Sequence, residues 1–197
     1  MFDYLLFKDI SDRIVAIVAF LVLLPLFFII AFGIKIDSKG SIFYFQNRLG
    51  KNGVPFKICK FRSMRTDINF RTTETLATDP RITNFGKLLR KTSLDELPQL
   101  INIIKGEMSF IGPRPPLLTY PKNFCEYNEF ERKRFNVKPG VSGLAAIKQR
   151  EIHDWNLNIP VDVEYVENIS FKLDLSLFMS SLFVFFKTNN IYSNNKK

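Results

Sequence analysis

Residues Lys87-Leu-Leu-Arg-Lys-Thr-Ser-Leu-Asp-Glu-Leu-Pro-Gln99 set two adjacent carboxylates, Asp95 and Glu96, directly behind two cations, Arg90 and Lys91. Past them, Leu97, Leu100, Ile101 and Ile104 recur at helical spacing, the apolar stripe of a helix packed on a core. Pro98 places the start of that helix, because proline lacks an N–H and fits the first turn, where that donor has no intrahelical partner. Asp95 or Ser93 is then the expected N-cap. Ser93-x-x-Glu96 also has capping-box spacing, so one reading of the two acids is architectural. The other is chemical: the unpaired N–H groups of a helix start favour phosphate as well as carboxylate. An Asp held there can attack phosphorus while its neighbour holds a divalent cation or handles a proton.

Outward from this stretch, the chain of 197 residues is 46% hydrophobic, enough for one modest globular core once an apolar membrane segment is set aside. A formal charge of +9 suits anionic lipid headgroups or nucleic acid. The aromatic residues fall mostly on apolar faces instead of alternating with Arg, which argues against a nucleic-acid stacking platform. Two cysteines, Cys59 and Cys125, lack metal or disulfide-framework spacing, and a single histidine, His153, excludes a multi-histidine metal site.

Ile14 to Ile34 carries no charge and is bracketed by Arg13 and Lys35. As helix it would extend about 32 Å, long enough to cross a bilayer. No small-residue cleavage site follows it, so it is expected to be retained. Pro25 cannot donate to the carbonyl of Leu21, which predicts a kink or break. Either a kinked helix crosses the membrane or the helix breaks and returns to the face it entered; basic residues at both ends favour the second.

The alternation of Ile42 and Tyr44, then Val54, Phe56 and Ile58, around Gly50-Lys-Asn-Gly53 predicts a β-hairpin. Residues 66 to 78 read as a polar loop and Arg81 to Lys91 as a helix with Ile82, Phe85, Leu88 and Leu89 on one face. Gly112-Pro-Arg-Pro-Pro116 excludes helix and inner strand, so Arg114 is presented on a stiff extended segment, where its fork of donors suits phosphate or carboxylate. Phe124 to Phe135 reads as a surface helix with no assigned chemistry. Phe171 to Phe186 is apolar but too short to span, and is expected to lie in the membrane interface, followed by a disordered tail.

Three blocks together resemble the bacterial sugar transferases, the small monotopic phosphoglycosyltransferases: Asp79-Pro-Arg-Ile-Thr83 with Gly86, Leu89 to Leu100, and Met108-Ser-Phe-Ile-Gly-Pro-Arg-Pro115. The resemblance runs from the apolar N-terminal segment to the region of Asp174. It implies an α/β (α+β) membrane-associated fold with a re-entrant helix over 1–36. A cytosolic domain over 37–187, with a short hairpin and interfacial amphipathic helices, and a tail over 188–197 would follow.

The implied activity moves a sugar 1-phosphate from a UDP-sugar to a polyprenyl phosphate at the inner face of the cytoplasmic membrane, with Asp95 as nucleophile. Mg²⁺ would be held by Glu96 and Asp95. Lys60-Phe-Arg-Ser-Met64 matches the family pattern and assigns Lys60 and Arg62 to a phosphate-binding wall, joined by Arg90, Arg114, Arg150 and Asp162. The chain departs from the pattern at Leu24, where a small polar residue is expected before the proline, and at Ala146, Lys148 and Gln149, which bears on sugar or nucleotide specificity. Two other readings share these residues: a membrane-tethered basic binding protein without chemistry, and a phosphatase that passes the Asp95 phosphoryl group to water.

Overall fold

The computed structural model describes residues 2–65, 79–149 and 154–186. The expected loop at 66–78, Arg150, His153 and the tail at 188–197 lie outside the described residues.

A helix, α1 (Phe2–Asp37), opens the chain and continues through Pro25 without a break in secondary structure. Pro25 is exposed, and the carbonyl it leaves without a donor belongs to Leu21, also exposed. Packing on both sides of the proline holds the helix together: Phe20 and Leu23 before it, Phe27, Ile30 and Ile34 after it, all against the domain. The break expected at Pro25 is therefore absent.

Both ends of α1 are fastened to the same domain. Tyr4 Oη donates to Asp174 Oδ2 at 2.6 Å and Lys8 Nζ lies 2.7 Å from the same oxygen. At the far end Asp37 Oδ2 accepts the backbone N–H of Phe85 at 2.9 Å. The outward face keeps large apolar side chains exposed along the helix, among them Phe7, Ile14, Val22, Phe28 and Phe32. An apolar face of this extent on a water-soluble surface would be an aggregation site; against lipid it is ordinary.

The hairpin forms as expected from β1 (Phe43–Leu49) and β2 (Pro55–Phe61), antiparallel, with Tyr44 opposite Lys60 and Arg48 opposite Phe56. Helices α2 (Asn84–Lys91) and α3 (Gln99–Lys105) follow. The start of α2 is three residues later than the sequence implies, because Thr83 caps it by accepting the N–H of Gly86 and Arg81 is drawn into a turn with Asp79. Buried Leu100, Ile103 and Met108 fill the space between α3, Ala16 of α1, and Phe56 and Ile58 of β2.

A second, parallel pair is formed by β3 (Ser109–Ile111) and β4 (Gly140–Ser142), strands too short to show a period in the sequence. The pair is close because a side chain at Gly140 would meet Gly112 N at 2.1 Å. Between these strands the expected surface helix is broken. Asn128 caps only a short α4 (Glu129–Arg132), and the 3-10 turn after it buries Arg134 and Phe135. Then come α5 (Leu144–Lys148), α6 (Trp155–Glu167) and α7 (Phe171–Phe186). On α7, Leu177 and Asp174 are buried while Phe171, Leu175, Met179 and Leu182 are exposed. Phe171 meets Phe7 of α1 with ring centroids 6.5 Å apart, so the outward apolar faces of the two helices adjoin.

Candidate active site

Asp95 and Glu96 do not cap a helix. They sit in a 3-10 turn, Leu94–Glu96, whose leading residue Ser93 makes no side-chain cap and adopts the left-handed conformation, φ 52° and ψ 18°. The capping box is not formed, and α3 begins only at Gln99, with Pro98 before it. The architectural reading of the two acids thus loses its geometry. A left-handed non-glycine residue costs about 1–2 kcal/mol. Here the chain turns sharply between α2 and α3, and the two acids occupy the turn.

The hairpin supplies the facing wall. Lys60 Nζ lies 2.5 Å from Glu96 Oε1. Asn102, on α3, fixes this approach: its Oδ1 accepts the N–H of Cys59 at 2.9 Å and its Nδ2 donates to Lys57 O at 2.7 Å. A side-chain amide thereby replaces a neighbouring strand on the free edge of β2. On the other flank, Arg90 Nε donates to Ser63 Oγ at 2.9 Å. Gly86 makes that contact possible, since a Cβ there would stand 2.1 Å from Ser63 O.

Arg48 belongs to this group and was missed. Strand alternation puts it on the same face of the hairpin as Tyr44 and Lys60. Gln46-x-Arg48 on that face was the available signal. Burial pushes its guanidinium down to about 10, helped by the nearby charge of Arg114, with Tyr44 and Glu96 acting in the opposite sense. Its Nη2 donates to Gln46 Oε1 at 2.7 Å and its Nη1 to Pro115 O at 3.0 Å.

The electrostatics separate the two acids. Burial works against the charge of Glu96, yet Lys60, Arg114 and Arg48 outweigh it and hold that carboxyl below its ordinary value. Burial raises Asp95 to about 6, and the negative Glu96 adds to the rise; Lys60 and Arg90 only partly offset it. Among the described residues Asp95 makes no ion pair. The result is one carboxylate paired with a lysine beside one that has no ion pair among the described residues and holds its proton to a higher pH.

Four of the residues expected in the site, Lys60, Arg90, Asp95 and Glu96, come together, and Arg114 acts on Glu96 from the proline-rich segment. Two others have different surroundings. Arg62 is buried, with Nη1 donating to Lys39 O and Nη2 to Ser38 O and Ser38 Oγ, so it fastens the hairpin to the end of α1. Asp162 is buried in an ion pair with Arg134 at 2.5 Å. Arg150 lies outside the described residues.

A metal is tested by the donor set. Among the described residues no group of three or more His, Cys, Asp or Glu side chains gathers. Asp95 and Glu96 would suffice for a cation such as Mg²⁺, which keeps several waters and takes its remaining oxygens from phosphate.

A family model described as "Bacterial sugar transferase" matches residues 3–188. The chain is similar to a UDP-glucose:undecaprenyl-phosphate glucose-1-phosphate transferase of Xanthomonas campestris pv. campestris, 38% identical over 177 residues, covering 86% of this chain and 37% of that protein. It is similar to the exopolysaccharide production protein ExoY of Sinorhizobium fredii, 37% identical over 187 residues, covering 87% of this chain and 81% of that one. A UDP-N-acetylgalactosamine-undecaprenyl-phosphate N-acetylgalactosaminephosphotransferase of Aeromonas hydrophila is 35% identical over 183 residues, 91% of this chain and 43% of its own length. The chain thus spans well under half the length of two of these three relatives.

Proposed function

This chain belongs to the bacterial sugar transferase family, and from that we propose that it moves a sugar 1-phosphate from a UDP-sugar to a polyprenyl phosphate at the cytosolic face of the membrane. The relatives' names support the substrate classes. The observation that carries the chemistry is the contrast between the two adjacent acids: Glu96 held by Lys60, Asp95 without an ion pair among the described residues.

In this reading an Asp95 oxygen attacks the β-phosphorus of the UDP-sugar. The bond to the bridging oxygen breaks, UMP leaves with the electron pair, and an aspartyl phosphosugar remains. A phosphate oxygen of the polyprenyl phosphate then attacks the same phosphorus, breaking the Asp95–phosphorus bond and restoring the carboxylate. With its carboxyl raised only to about 6, Asp95 is mostly ionised at pH 7. Lys60, Arg48, Arg90 and Arg114 offset the charge of the diphosphate as it approaches. Mg²⁺, held by Glu96 and Asp95, would supply further charge neutralisation on the phosphate oxygens.

We infer that α1 rests on one face of the membrane without crossing it, since its two ends are fastened to one domain and its apolar face points outward. The exposed face of α7 adjoins it and would rest at the same interface. Incubating purified protein with UDP-sugars, with and without polyprenyl phosphate, tests the reaction. Nucleotide release and a sugar-phosphate mass adduct on the protein in the absence of lipid are expected. Release of UMP only when lipid is present would overturn the covalent route.

A further inference from the structure

Gly112-Pro-Arg-Pro-Pro116 contains three prolines, so between Gly112 and Leu117 the only backbone N–H is that of Arg114. Such a segment cannot hold itself by its own ladder, and the fold anchors the four carbonyls of Pro113 to Pro116 from outside. Pro113 O accepts from Gly140 N at 3.0 Å, Pro115 O from Arg48 Nη1 at 3.0 Å, and Pro116 O from Leu49 N at 3.0 Å. The remaining carbonyl, of Arg114 itself, accepts Arg134 Nη2 at 2.8 Å. The Arg114 N–H faces the Asp162 carboxylate and favours its charge, without a well-formed hydrogen bond. The main chain of Arg114 is thus held through its carbonyl by one buried ion pair, Arg134 and Asp162, in which Arg134 is 1% exposed.

This pair is a poor device for stability alone. The guanidinium lies 5.3 Å from the ring centres of both Phe135 and Trp155, and its Nε and Nη1 make no well-formed hydrogen bond although the Tyr127 hydroxyl is beside them. Well-packed apolar residues often replace such a buried pair without loss. What apolar residues could not do is donate to the Arg114 carbonyl.

We propose that Arg134 is a positioning residue: by gripping the main chain of Arg114, together with Asp162, it aims the Arg114 guanidinium at the diphosphate beside Glu96. The proposal rests on the sugar-phosphate transfer read above. It also gives Asp162 a role in the site through Arg114 and not by touching substrate. Since the extended segment is held at the backbone, the cation at its tip is delivered with little loss of entropy on binding.

The test uses the full-length membrane-bound protein. Arg134→Lys retains a cation for Asp162, but the shorter side chain stops its ammonium short of the place where Arg134 Nη2 donates to both Asp162 Oδ2 and the Arg114 carbonyl. The expected result is a melting temperature close to wild type, at least a tenfold fall in the rate of UMP release, and a change of less than twofold when the same substitution is made in an Arg114→Ala background. An equal fold-loss in both backgrounds would overturn the proposal, because Arg134 would then act independently of Arg114. If Arg134→Lys fails to fold, Asp162→Asn enters the same cycle with the same expectation. Amide exchange of ¹⁵N-arginine-labelled protein gives a readout free of activity: the Arg114 N–H should exchange at least tenfold faster in the variant. Unchanged protection would overturn the proposal. If wild type releases no UMP from any UDP-sugar, the function fails while amide exchange still decides whether Arg134 holds Arg114.

Discussion

Lys60 Nζ and Glu96 Oε1 are 2.5 Å apart, and this contact divides the labour between two neighbouring acids. Glu96 is paired with a cation from the hairpin, while Asp95 sits half-buried beside that negative neighbour and is raised to about 6.

Asp95→Asn keeps the shape of the turn and loses the attacking charge, so turnover should fall by several orders of magnitude with fold and membrane binding intact. Intact-protein mass spectrometry after incubation with UDP-sugar should show no adduct at any Mg²⁺ concentration. Glu96→Gln should also lose activity but first show a raised Mg²⁺ requirement. An Asp95→Asn variant retaining a substantial fraction of wild-type rate would remove Asp95 as nucleophile.

The rate of UMP release in the absence of lipid should climb as pH is raised through about 6, as Asp95 ionises. Its sign follows from the neighbours. Removing the negative charge in Glu96→Gln should move the Asp95 midpoint down, and removing the positive charge in Lys60→Met should move it up. The ¹³C shift of the Asp95 carboxyl reports both. Because the folded value exceeds the ordinary unfolded one of about 3.9, Asp95 contributes stability that is present below that pH and lost as pH rises through about 6.

Ser93 holds a left-handed φ of 52°, so Ser93→Gly should leave stability unchanged or raise it. Ser93→Val should cost about 1–3 kcal/mol through the β-branched side chain at that conformation. Thermal melts should therefore place the valine variant below both wild type and the glycine variant, and equal melting temperatures would contradict the strain.

Asn102→Ala leaves the Cys59 N–H and the Lys57 carbonyl without partners on the buried edge of β2. The expected loss is about 2–4 kcal/mol. UMP release should suffer as well, because the same bonds set the distance from Lys60 to Glu96.

A cysteine introduced at Asp3 should resist an impermeant thiol reagent applied outside intact cells, since Tyr4 and Asp37 are tied to one domain. Efficient labelling there would favour a helix that crosses.

How far the sequence could be read depended on how local each signal was. The long apolar helix, the hairpin around Gly50 and Gly53, and α7 follow from periodicity and turn chemistry within a few residues. Arg62 could not be placed, because its partners, Ser38 and Lys39, lie 24 and 23 residues away and contribute carbonyls, which every residue has. Asp162 enters the expected site through the resemblance alone, and its partner Arg134 sits 28 residues earlier in a segment that reads as a surface helix. The break at Pro25 failed for the reverse reason: a local rule was overridden by packing on either side of the proline.

The double fastening of α1 bears on the depth at which a membrane would hold the enzyme. A free amphipathic helix finds its own depth and tilt at an interface. Here Tyr4 and Asp37 are both bound to the domain, so helix and domain would move as one body. The depth at which lipid takes up the apolar face of α1 would then fix the height of the carboxylates of Asp95 and Glu96, and with it the height at which a lipid-borne phosphate must meet them.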